Sequence, residues 1–186
     1  VHAGKVDLFA NHKVILTPIP SSADWAVQKL IQLWHAAKAE VICMDVEKHD
    51  EVLAHTSHLP HLMAFNLVGQ LVNRQDNLDI FRYAAGGFRD FSRIAASDPQ
   101  MWHDIFFANK KAILNAVDGF EAQLQTLKKL IQDEDSHALM GLLGNAQAAR
   151  QHFNHMLAKK PLMEKNKVTQ QFTIQPGVKS FQGKFT

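Results

Sequence analysis

Apolar residues recur along the chain at two different periods, and the change of period divides it. Residues 13–17, Lys-Val-Ile-Leu-Thr, form a short run of the buried-strand kind, and residues 40–44, Glu-Val-Ile-Cys-Met, form a second. Between them Ser21-Ser22-Ala23-Asp24 opens a helical pattern that runs to about Ala39. This strand, helix, strand order is expected for the tail of an α/β domain. Two strands and one helix cannot cover both faces of a parallel sheet, so the unit is expected to need strands that are not in this chain.

From residue 45 onward the period is helical almost throughout. Val52, Leu53, Leu59, Leu62 and Met63 carry the first helix, expected to start at an Asp45 cap and to continue to about Asn73. A short helix is predicted over Leu78 to Ala85, interrupted by Gly86-Gly87. Asp98-Pro99 opens a helix in which no proline intervenes before about Asp133, so a single rod about 50 Å long is expected. Its stripe is Phe106, Ile113, Val117, Phe120, Leu124, Leu127 and Ile131. A last helix, about Ser136 to Leu157, carries Leu139, Leu142, Leu143, Ala146, Phe153 and Met156. Stripes this long exceed what one small helical domain covers, and they predict an interlocked homodimer core.

Composition narrows the partners. The 186 residues are 46% hydrophobic and 20% charged with a net charge of +2, which fits a soluble globular chain and argues against nucleic acid as the main partner. No apolar run is long enough for a membrane span. One cysteine, Cys43, excludes an internal disulfide framework, and a reducing cytoplasm is the expected location. Of the eleven histidines, His2, His12, His35, His103, His137, His152 and His155 are scattered and read as surface residues.

Polar chemistry concentrates in residues 45–61. Asp50, Ala54, His58 and His61 follow steps of four, four and three, which stacks an acid and two imidazoles on one helix face. Pro60 lies between the imidazoles, lacks the amide that would bond the Thr56 carbonyl, and predicts a kink. Satisfied interior histidines beside a tolerated kink are one reading. A zinc site built from His58, His61 and Asp50 in a helical interaction module without redox activity is another.

The string itself points further. Asp50, Ala54 and Ser57-His58-Leu59-Pro60-His61 resemble the signature of the prephenate and arogenate (cyclohexadienyl) dehydrogenases, NAD(P)-dependent enzymes of tyrosine biosynthesis. A second block, Gly86-Gly87-Phe88-Arg89-Asp90-Phe91-Ser92-Arg93-Ile94-Ala95 with Ser97-Asp98-Pro99 and Met101-Trp102, is similar to that family's second signature, in the same order. The resemblance covers about residues 1–158. It implies a mainly α chain: the end of a Rossmann-like α/β nucleotide-binding domain over 1–45, then an all-α dimerisation and substrate domain over 46–158. It also implies oxidation of a ring hydroxyl by hydride transfer to NAD or NADP, coupled to loss of the ring carboxylate. The substrate would be a dicarboxylate, prephenate or arogenate.

The same resemblance assigns roles residue by residue. His58, His61 and Asp90 are the catalytic candidates, and Ser57, His58, His61, Gly86, Arg93 and Trp102 the substrate-binding ones. Arg93 suits a carboxylate because a planar guanidinium binds one bidentately. Trp102 would reach the active site, its own or the partner subunit's. Thr17, at the end of the first strand, is the cofactor-side candidate, since ligands sit at strand carboxyl ends. No Gly-x-Gly-x-x-Gly turn is present in the sequence, so the dinucleotide site is expected upstream. The resemblance implies that the histidine acting on the substrate hydroxyl lies there too, and the fragment alone is expected to be inactive.

Past Lys159 the pattern changes again. Lys159-Lys160-Pro161 and Glu164-Lys165-Asn166-Lys167 read as a solvated linker. Residues 171–177 and 183–186 then alternate like strands and resemble the opening of 5-enolpyruvylshikimate-3-phosphate synthase, which implies a fused following domain over 159–186.

Overall fold

The computed structural model describes residue 5, residues 7–74 and residues 77–158. The expected linker and the strand-like tail lie outside these residues. Within them the chain is mainly α, with one small sheet at its start.

Strand β1 (Lys13–Leu16) pairs in parallel with β2 (Glu40–Cys43), in the register Lys13 to Glu40 and Leu16 to Cys43. A parallel pair needs a crossover, and helix α1 (Asp24–Ala36) supplies it. Both faces of the pair are only partly covered, since Val14 and Ile15, like Val41 and Ile42, are half-buried. Phe9 packs edge-on against Trp34 of α1, with ring centres 5.1 Å apart. Lys38 closes the α1 turn in the left-handed region at φ 62°, and its carbonyl accepts from the Asn11 amide, tying the strand starts together.

The helical part begins with α2 (Val46–Leu53) and differs from expectation at once. Asp45 occupies the cap position with extended backbone, but its side chain caps nothing. More importantly, the chain does not simply kink at Pro60. Residues Ala54–His58 form a π-helical turn, and α3 (Leu59–Val72) begins immediately after it, with Pro60 in its first turn. A first-turn residue needs no amide for an intrahelical bond, so the wide turn before the proline removes the clash that an uninterrupted α-helix would impose. Within the turn, Thr56 Oγ1 donates to the Val52 carbonyl at 2.7 Å.

Helix α4 (Asn77–Arg82) is short, and α5 (Gly86–Ser92) starts at the glycine pair itself, with Ala85 extended before it. A 3₁₀ turn, Arg93–Ala96, follows, and both it and α5 pack on α3. Asp98 caps the next helix as expected, its Oδ1 accepting from the Met101 amide at 2.8 Å. The single long rod is not observed: α6 (Pro99–Ala108) stops at Asn109, whose φ of −106° and ψ of 34° are not helical, and α7 (Lys110–Gln132) starts anew.

The described residues form two compact units that divide inside α7, between Phe120 and Glu121. In the first, Ala54 at 0%, Ile113 at 5% and Ala116 at 1% exposure form the core, covered by Leu59, Leu62, Phe106, Ala112 and Val117. Alanines at both contact points bring the π-helical turn close to α7, which is how Asn109 reaches its neighbours. In the second, α8 (Ser136–Ala158) follows a turn in which Asp135 Oδ1 accepts from the Ala138 amide at 3.0 Å. Its apolar side chains Met140, Leu143, Phe153 and Met156 are exposed. Among the described residues no helix is long and apolar enough to cross a membrane.

Candidate functional site

The π-helical turn and the first turn of α3 put His58 and His61 against the start of α6. Trp102 is buried there at 5% exposure and touches both. Its indole is stacked on the His61 ring at 3.7 Å with planes 21° apart, and it meets His58 edge-on at 6.2 Å. Phe106, one helical turn later, backs the indole at 5.5 Å.

Each imidazole is held by its Nδ1. His61 Nδ1 lies 2.8 Å from the Ser57 carbonyl, which can only accept, so this nitrogen donates and the neutral ring leaves Nε2 bare. His58 Nδ1 lies 3.2 Å from Nδ2 of Asn109, which also donates to the Asp50 carbonyl at 2.8 Å. His58 is buried, and that burial is the main cause that holds its pKa below the ordinary value of 6.5. The Asp50 carboxylate works in the opposite direction, while His49 and His61 add to the lowering.

The four-residue step that aligned Asp50 with His58 therefore works through the backbone. Asp50 shares Asn109 with His58 by its carbonyl oxygen, while its carboxylate engages His49 Nδ1 at 3.0 Å. Among the described residues no three histidine, cysteine or acidic side chains converge as metal ligands, and the zinc reading has nothing to support it.

Of the sequence-predicted residues, the fold brings together Ser57, His58, His61 and Trp102. Arg93, Asp90 and Gly86 are exposed on the two elements packed against α3, and among the described residues Arg93 and Asp90 form no ion pair with each other or with another side chain. No hydrogen bond or ring contact joins them to the histidines. Thr17 is half-buried just past the carboxyl end of β1. The residue missed by sequence reading is Asn109. Its signal was present: it falls three residues after Phe106 and four before Ile113, a polar side chain in phase with a buried stripe.

Comparison with known proteins places this site in context. Residues 45–145 match the family model described as prephenate dehydrogenase, dimerization domain. A cyclohexadienyl dehydrogenase of Zymomonas mobilis is 39% identical over 150 residues, covering 80% of this chain and 51% of the relative. Prephenate dehydrogenase of Bacillus subtilis is 39% identical over 141 residues, covering 75% of this chain and 38% of the relative. Among solved structures, prephenate dehydrogenase of Aquifex aeolicus in complex with hydroxyphenyl propionate and NAD+ superposes with a TM-score of 0.75 at 39% identity, covering 79% of this chain and 52% of that one. The chain thus spans about half the length, or less, of the relatives it matches.

Proposed function

The chain belongs to the prephenate dehydrogenase family, and from that premise we propose that it is the dimerisation and substrate part of an NAD(P)-dependent prephenate or arogenate dehydrogenase of tyrosine biosynthesis. The observation that carries the reading is the cluster of His58, His61 and Trp102, built within the stretch that matches the family model. The reaction oxidises the ring hydroxyl and releases the ring carboxylate as carbon dioxide, which restores aromaticity. The nicotinamide, NAD or NADP, supplies the hydride acceptor.

In this reading residues 1–45 are the end of the nucleotide-binding domain, with Thr17 on the cofactor side, and residues 46–158 form the substrate domain. His58 offers a ring N–H and His61 a bare ring nitrogen, so the pair can meet both an acceptor and a donor on a polar substrate, with Ser57 beside them. Gly86, exposed at the start of α5, lets a carboxylate approach the backbone, and Arg93 clamps that carboxylate by two N–H donors. Asp90 tunes the local charge. Trp102 closes the apolar side of the pocket and excludes water from the histidines. The working enzyme is a cytoplasmic homodimer.

Steady-state kinetics of the full-length protein test this directly. With prephenate or arogenate and NAD or NADP, formation of the reduced nicotinamide should accompany carbon dioxide release. No turnover with any of the four pairings would defeat the assignment.

A further inference from the structure

Asn109 is buried to 9% exposure, and its carboxamide faces two groups from another part of the chain. The Asp50 carbonyl can only accept, so the amide must present its nitrogen on that side. The flipped amide would set two acceptor oxygens 2.8 Å apart. An amide nitrogen carries two hydrogens, and each has one target here. The hydrogen directed at His58 requires a lone pair on Nδ1, which in a neutral imidazole leaves the proton on Nε2. The backbone of α2 thus dictates the amide, and the amide dictates the ring.

We propose that Asn109 is a positioning residue that locks His58 as its Nε2–H tautomer, so that the imidazole offers a hydrogen-bond donor to an oxygen of the dicarboxylate substrate. The second half of this statement rests on the dehydrogenase reading; the tautomer itself does not. Protonating Nδ1 would turn an N–H against the amide hydrogen, so Asn109 also opposes the imidazolium. The charged or titratable groups that act on His58 are Asp50 and His49 from α2 and His61 from α3. From the α6 and α7 side it meets Asn109 and Trp102, neither of which titrates.

Ring nitrogen NMR on the full-length protein labelled with ¹⁵N-histidine tests the proposal, with His58 identified by the signal lost in His58→Gln. The expected spectrum at neutral pH has an unprotonated Nδ1 and a protonated Nε2. Asn109→Asp places a carboxylate acceptor against Nδ1. It should reverse the tautomer, raise the titration midpoint of His58 by about 1 to 3 pH units and lower kcat/KM about tenfold or more. If that variant does not fold, the wild-type spectrum decides alone. A protonated Nδ1 in the wild type, or an unchanged tautomer in a folded Asn109→Asp, would overturn the proposal whatever the activity. Inactive wild-type protein with the expected spectrum would instead remove the dehydrogenase reading and leave the tautomer lock standing.

Discussion

The indole of Trp102 and the imidazole of His61 lie face to face, 3.7 Å apart, each in the first turn of its own helix. This contact joins α3 to α6 beside His58, which the same indole meets edge-on. It leaves one polar group unanswered, because the indole Nε1 is buried and, among the described residues, has no partner. The stack is therefore favourable through its rings and unfavourable through its N–H.

That balance predicts a difference between two substitutions. Trp102→Ala removes the whole aromatic contact and should destabilise the chain by about 3 to 5 kcal/mol. Trp102→Phe keeps a ring over His61 and deletes the unpaired donor, so its cost should stay below about 1.5 kcal/mol. Chemical denaturation of both variants decides, and equal losses would mean that the stack does not hold the two helices together.

The acid side of the stability profile should carry the mark of His58. Its folded pKa is lowered, first by burial, so between that pKa and the unfolded value of 6.5 the unfolded chain binds more protons. Stability should be fully present above the unfolded value and fall as pH drops from 6.5 through the folded pKa. His58→Gln should flatten that part of the curve. A variant whose stability falls with pH as steeply as the wild type would exclude His58 as the source.

How much of this was legible depended on whether a residue acts through periodicity or through geometry. The two strands with a helix between them, the Asp98 cap and the alignment of His58 with His61 follow from local spacing, and the fold bears them out. The break at Asn109 does not. Asparagine is tolerated inside a helix, and only the Asp50 carbonyl and His58 Nδ1, more than fifty residues away, reward its departure from helical geometry. The π-helical turn was half visible: Pro60 announced a disturbance, but a kink and a widened turn are equally compatible with a proline, and contact of Ala54 with the α7 core selects between them.

Arg93 offers a test of the substrate assignment. It is exposed and, among the described residues, forms no ion pair, so its removal should leave folding nearly untouched. On the proposed reading Arg93→Leu in the full-length protein would delete a charged hydrogen-bond pair to a carboxylate, about 1.5 to 3 kcal/mol, and should raise KM about 10- to 100-fold. Arg93→Lys keeps the charge but loses the fork, and should recover only part of that loss. An unchanged KM in both variants would exclude Arg93 from carboxylate binding.

The exposed apolar faces of the last two helices lead to the final prediction. On α7, Leu124 and Ile131 are 50% and 62% exposed and lie seven residues apart, on the same face. On α8, Met140 and Leu143, and again Phe153 and Met156, form exposed pairs three residues apart. Apolar surface in water is unfavourable in proportion to its area, and a second copy of the same chain covers it without any new sequence feature. The family description of residues 45–145 as a dimerization domain supports the same reading. Sedimentation of the 20.9 kDa chain should therefore give twice that mass. Leu124→Glu with Ile131→Glu places two charges on the face, and should return the single-chain mass while leaving helical circular dichroism intact. A wild-type chain that sediments at its own mass, with its helices formed, would show that these faces need no second copy.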